Sequence, residues 1–389
     1  MEKFQRWGRG RLAGLLVTLA ALLLPASASA ADTVYWASES AGTIQHGNLD
    51  GTGSVQTLFS GEGAPCGVAT NPAAGKIYWA NFSGNQIRAG DLAGTSATTL
   101  ISADHPCGVA VDPAAGKIYW AEFVGVGTTA GTIRRANLNG SNPETLVTGQ
   151  FGPSGVAIDP ALNKIYWTNQ DPGGPNGAVW SANLNGSNPL AIVPGQANPI
   201  GVAIDAAAGK IYWANLGSCC SGPGEIRSAG LNGSNPVTLV DQSTAGAAGV
   251  AGPAGVALDP GANKLYWANF GGGTIWNSSL TGAQPAQLDN FGVGFANFPV
   301  LLKKPVSNPE ISGGAKVGKE LTCRPNFAPD LLGAFLYRAP ATVQYQWSTG
   351  AVTETITPTS AGDYTCTVTA TNQAGTTVKT SAVKKVKAK

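Results

Sequence analysis

Histidine and methionine are nearly missing: the 389 residues contain His46, His105 and a single methionine. Two isolated histidines exclude a histidine-rich metal cluster and leave histidine-based catalysis little to work with. There is also no His-Glu-x-x-His, no Gly-x-Ser-x-Gly and no cysteine pair at zinc spacing. Charge is scarce too, with Asp, Glu, Lys and Arg at 12% and a formal net charge of +2. So few charges exclude long charge-laced helices, and they give no nucleic-acid footprint. After Leu24 no run of about twenty apolar residues occurs, so no membrane span is expected beyond the first segment.

That first segment is basic at Lys3, Arg6, Arg9 and Arg11, then apolar from Leu12 to Leu24, then small at Ala26, Ala28 and Ala30. The pattern predicts a signal peptide over residues 1–30, a mature chain starting near Ala31 and a secreted, extracellular or cell-surface protein. The remaining length suits two folded units. Gly (53 residues) and Pro (25 residues) punctuate it heavily, which favours short strands and tight turns.

A Tyr-Trp pair recurs at Tyr35-Trp36, Tyr78-Trp79, Tyr119-Trp120, Tyr166-Trp167, Tyr212-Trp213 and Tyr266-Trp267. Around the fourth pair the unit reads as four strands. Gly155–Asp159 is short and apolar and ends at an Asp159-Pro160…Asn163 turn. Lys164–Asn169 follows, with consecutive Ile165, Tyr166 and Trp167, so both of its faces must be covered. The third strand ends at Leu184, and an Asn185-Gly186 hairpin leads into Leu190–Val193. Six such units at this period predict an all-β fold: a six-bladed β-propeller with four-stranded blades over residues 31–304. The first copy lacks an inner strand, and the spare segment Phe298–Leu302 is expected to supply it and close the ring.

These residues resemble the YWTD repeats of the low-density-lipoprotein receptor class B family over residues 33–302. The last motif position departs from the family's Asp, being Ser38, Asn81, Glu122, Asn169, Asn215 and Asn269. In the family that residue makes structural hydrogen bonds, a role open to Asn. The resemblance implies a binding module of the kind found in extracellular receptors and matrix proteins, although the growth-factor-like module that usually follows is absent.

Residues 305–389 carry Cys323 and Cys366 with Trp347 between them, and Tyr364 two residues before the second cysteine. This spacing predicts an Ig-like β-sandwich with a Cys323–Cys366 disulfide, similar to the Ig-like domains of exported bacterial proteins, in the role of spacer, stalk or adhesion module. Lys384, Lys385, Lys387 and Lys389 read as a solvated basic tail.

Within the repeat, the turn after the first strand and the hairpin after the third lie on one face and hardly vary. Asp112, Asp159, Asp205 and Asp259 recur there and read as turn caps. The opposite face holds the unequal loops: Phe82–Gln86 is short, Phe123–Gly131, Gln170–Gly177 and Leu216–Gly224 are long, and Asp241–Pro253 is the longest connection. Such variation marks a binding surface, with Glu122, Phe123, Gln170, Asp171, Cys219, Cys220 and Phe270 as candidate contacts for an extracellular or cell-surface protein or glycan. Cys66 and Cys107 hold equivalent positions in adjacent units and are expected to pair, as are the neighbours Cys219 and Cys220. Asn169, Asp171 and Asn176 lack a full calcium ligand set, and Gly125-Val126-Gly127 opens no helix on which to seat phosphate. No metal or cofactor is expected, and the protein is read as a monomer and not as an enzyme. The alternatives are a propeller enzyme of the lactonase or lyase type, with Glu122 and His105 at the channel mouth, and a purely structural envelope protein.

Overall fold

The computed structural model describes residues 31–125, 128–172, 174, 176–217, 224–289 and 296–389. The expected signal peptide and the Cys219-Cys220 pair lie outside the described residues. Among the described residues one feature interrupts the strands at length: a helix, Gln242–Gly249, within the connection Asp241–Pro253 that the sequence presents as a loop. Asp241 starts it by accepting from the Ser243 and Thr244 amides at 2.9 and 3.1 Å.

Strands form where the repeat places them. In the fourth unit they are Pro153–Asp159, Lys164–Asn169, Ala178–Asn183 and Leu190–Pro194, paired antiparallel in that order. Ile165, Tyr166 and Trp167 are at most 3% exposed, so both faces of the second strand are covered. The turn before it forms as its residues dictate: Asp159 Oδ1 accepts from Leu162 N at 3.1 Å, and Asn163 takes a left-handed φ of 54°.

Six sheets of this kind are described, and they close on themselves. The inner strands Pro65–Asn71, Pro106–Asp112, Pro153–Asp159, Pro199–Asp205, Pro253–Asp259 and Ala296–Leu302 each pack against the next, and the last returns to the first. This is a β-propeller. The closing strand pairs antiparallel with Thr33–Ser38, setting Leu301 opposite Val34 and Val300 opposite Tyr35, as the missing inner strand of the first unit requires. At one level the second to sixth blades carry no side chain on their inner strands. A Cβ on Gly108 or Gly155 would collide with the backbone of the next inner strand, at Ser154 and Ile200 respectively. Glycine therefore opens each Gly-Val-Ala segment because two backbones touch there.

The second domain has short strands, among them Thr342–Trp347, Cys366–Asn372 and Gly375–Thr380 in one sheet, around a core of Leu321, Trp347, Tyr364, Val368 and the Cys323–Cys366 disulfide. Tyr364 Oη donates to Ser360 O at 2.9 Å, tying the chain back on itself just before the second cysteine. The basic terminus is not a free tail: Lys384–Val386 is a strand paired with Gly362–Tyr364.

Between Leu321–Arg324 and Thr342–Trp347 the second domain sends an excursion onto the propeller that nothing in the residue pattern announces. Leu332–Ala334 forms a 3-10 turn against four inner strands, over the channel end on the uniform face. Leu336–Tyr337 pairs parallel with the closing strand, and Leu301 and Lys303 donate to Phe335 O and Tyr337 O at 2.8 and 2.9 Å. A spacer would touch the ring at a linker only, whereas this one plugs it.

Candidate functional site

On the opposite, loop-rich face the channel opens as a funnel of about 190 Å³. Its rim is one residue per blade, the residue that follows each second strand: Glu39, Phe82, Phe123, Gln170, Leu216 and Phe270. Their backbones are held alike. Phe82, Phe123, Gln170, Leu216 and Phe270 donate to the carbonyls of Ala64, His105, Gly152, Asn198 and Gly252 at 2.8 to 3.1 Å. Each acceptor has a left-handed φ between 45° and 68°. With the backbone fixed by the repeat, the side chain at this position is free to vary, and it does.

Below the rim lie Ile200 and the Cys66–Cys107 disulfide, which joins neighbouring inner strands at a Cα separation of 5.0 Å as their equivalent positions suggest. Phe298, in the place where other blades have glycine, packs into the same cluster with Ala254 and Leu216. The Phe82 ring lies 5.8 Å from that of Phe123 and meets the His105 imidazole edge-on at 5.1 Å. His105 Nδ1 in turn sits 2.6 Å from Asp104 Oδ1, in an exposed pair at the lip.

Of the contacts expected from the sequence, Phe123, Gln170 and Phe270 line the funnel. Glu122 and Asp171 do not. Glu122 is 5% exposed and fills a structural post that differs from blade to blade. In the second blade Glu62 accepts from Trp79 Nε1, Asn81 Nδ2 and Arg88 Nη1 at 2.8, 2.6 and 2.6 Å. In the fourth and fifth blades Gln150 and Gln196 take the corresponding Trp and Asn donors. In the sixth the Gly249 carbonyl at the end of the helix does so. In the third blade that position is Ala103, which accepts nothing with its side chain, and Glu122 supplies the oxygen from the other side. It takes Trp120 Nε1 at 3.1 Å, Arg134 Nη1 at 3.0 Å and Thr132 Oγ1 at 3.0 Å. Asp171 is 8% exposed and holds its own loop, accepting from Asn176 N and Nδ2 at 2.8 and 2.9 Å. Glu39, Phe82 and Leu216 join these three on the rim, and the signal they share is their place directly after the repeat motif rather than the length of the loop that follows.

Replacing Glu62 by Ala strands an indole, an amide and a guanidinium, so it is expected to cost about 3 kcal/mol in urea unfolding. Glu62→Gln, which copies the fourth and fifth blades, should lose about a third of that. An unchanged midpoint for the alanine variant would refute the shared-acceptor account.

Among the described residues, no group of three or more His, Cys, Asp or Glu is placed to hold a metal ion, and no helix is long and apolar enough to cross a membrane. No family model matches the chain, and no curated protein does. Solved structures do. A chain of the nidogen/laminin complex superposes with a TM-score of 0.59 at 17% identity, covering 69% of this chain and 98% of that one. TolB from Acinetobacter baumannii gives 0.52 at 14% identity, covering 69% of this chain and 66% of its own. At such identities the likeness establishes the β-propeller fold alone.

Proposed function

We propose that this is a secreted binding protein, not an enzyme, whose six-bladed propeller seats an apolar side chain of an extracellular or cell-surface protein in the funnel while its Ig-like domain closes the far end of the channel. The observation that carries this reading is the rim: Phe82, Phe123, Leu216 and Phe270 make an apolar cup, and Glu39 and Gln170 stand on opposite blades. A volume of about 190 Å³ suits one aromatic or branched side chain, since a cavity of roughly 150 Å³ holds benzene. Glu39 and Gln170 can fix the backbone on either side of it. A glycan is less well served, because its hydroxyls would meet mainly phenylalanine. The nidogen/laminin complex, in which a propeller chain of this shape is seen with a protein partner, supports the same reading. Export agrees with the leader pattern and with two disulfides.

The test is capture of extracellular proteins by the immobilised mature chain. A double variant Phe82→Asp, Phe270→Asp is expected to reduce retention of a specific partner at least tenfold, since anchors of this kind dominate interfaces. Exchange of the uniform-face hairpin Asn139–Asn142 should change nothing. Equal retention by the double variant, or loss only with the hairpin exchange, would place the interface elsewhere.

A further inference from the structure

The uniform face holds a second cavity, of about 410 Å³, between its turns and the excursion from the second domain. Asp112, Asp159 and Asp205 line it, each at the end of an inner strand of successive blades. They are 4, 4 and 7% exposed. Each uses Oδ1 to cap its turn, accepting from Ala115 N, Leu162 N and Ala208 N at 3.0 to 3.1 Å. That leaves Oδ2. In Asp159 this oxygen is buried and receives no hydrogen bond from the described residues, which is costly for a carboxylate.

The sixth blade shows what such an oxygen takes. There Asp259 caps its turn in the same way, through Ala262 N at 3.3 Å, and its Oδ2 lies 2.7 Å from the Lys303 ammonium. Among the described residues no ion pair reaches Asp112, Asp159 or Asp205. The lysines across from two of them are committed elsewhere, Lys117 Nζ to Asn137 Oδ1 at 2.7 Å and Lys164 Nζ to Asn183 Oδ1 at 3.0 Å. Asp330 also lines the cavity, its Oδ1 accepting from the Arg338 and Ala339 amides at 2.6 and 2.8 Å, and much of the remaining lining is apolar, including Ile158, Ile204 and Leu332.

We propose that this cavity binds a small aliphatic amine as its ammonium ion, the nitrogen taken by Asp159 with Asp112 or Asp205 and the methylene chain laid against Ile158, Ile204 and Leu332. The ligand repeats what Lys303 does within the chain, a charged nitrogen on an alkyl stem meeting a turn-capping aspartate. The site is separate from the funnel and stands whether or not the funnel binds protein.

Isothermal titration of the full mature chain with 1,4-diaminobutane tests it, with 1,4-butanediol as the neutral analogue. Saturable heat is expected for the diamine and none for the diol. Asp159→Asn should weaken binding at least about tenfold. That variant is expected to fold, because Asn71 holds the corresponding position in the second blade and caps its turn through Ala74 N at 3.3 Å. The double variant Asp112→Asn, Asp205→Asn, which removes both alternative partners, serves as a second variant should the first melt early. Absence of saturable binding, equal binding of the diol, or undiminished affinity in the folded variants would overturn the proposal.

Discussion

A chain ending at Lys304 is expected to lose its cooperative melting transition and to run as aggregate on size exclusion, although every strand of the ring is present. Phe335, Leu336 and Tyr337 are 4, 0 and 0% exposed, buried on the propeller and on the excursion itself. At about 2 kcal/mol for each side chain, their removal takes away on the order of 6 kcal/mol. That is comparable with the whole stability of an ordinary domain, roughly 5–15 kcal/mol. It also bares one edge of the closing strand, which Leu336–Tyr337 covers. The single change Leu336→Asp should act in the same direction with the second domain intact, which separates loss of the plug from loss of the domain. A truncated chain that stays monomeric and melts like the full one would show that the excursion rests on the ring without supporting it.

Deletion of residues 298–302 is expected to be at least as damaging, because it opens the ring. Val300, Leu301 and Leu302 are fully buried, and their strand completes the first sheet while packing on the inner strands to either side. Without it Thr33–Ser38 becomes an exposed edge with a row of unsatisfied amides. Val300→Asp should reproduce most of the effect by burying a charge without a partner. Thr98→Asp, on an exposed site of an outer strand, should stay within about 0.5 kcal/mol of wild type. Should the deleted protein remain soluble with an unchanged transition in differential scanning calorimetry, closure through this strand would not be what holds the ring.

Much of the ring was legible because its signals are local and repeated. Ile165-Tyr166-Trp167 demands cover on both faces, Asn185-Gly186 demands a hairpin, and a missing strand at the start finds its counterpart at Phe298–Leu302. The pairing of Cys66 with Cys107 followed from equivalent positions in the repeat. What was not legible depends on what lies across from a residue. Glu122 breaks the repeat and so looked like a ligand contact, yet it answers Ala103, nineteen positions earlier, by supplying the acceptor that Glu62, Gln150 and Gln196 provide in other blades. Phe82 opens a short loop that carries no mark of a binding surface, yet the backbone bond to Ala64 places it on the funnel beside Phe123. The excursion that plugs the channel has no periodicity, since its residues are buried by a surface far away in sequence. The recurrence of Asp112, Asp159 and Asp205 concealed the second cavity for the opposite reason: a cap explains one oxygen of each and says nothing of the other.

Lys303 follows the closing strand directly, pairs with Asp259 and Asp32, and offers its carbonyl to Asn372 Nδ2 of the second domain at 2.8 Å. Force drawing the two domains apart would therefore enter the ring at this residue and run along the axis of the closing strand. That strand is flanked by Thr33–Ser38 on one side and Leu336–Tyr337 on the other, so its hydrogen bonds would be loaded in shear, together, instead of opening one after another like a zip. The seam where the circle is joined is also where the molecule would bear tension.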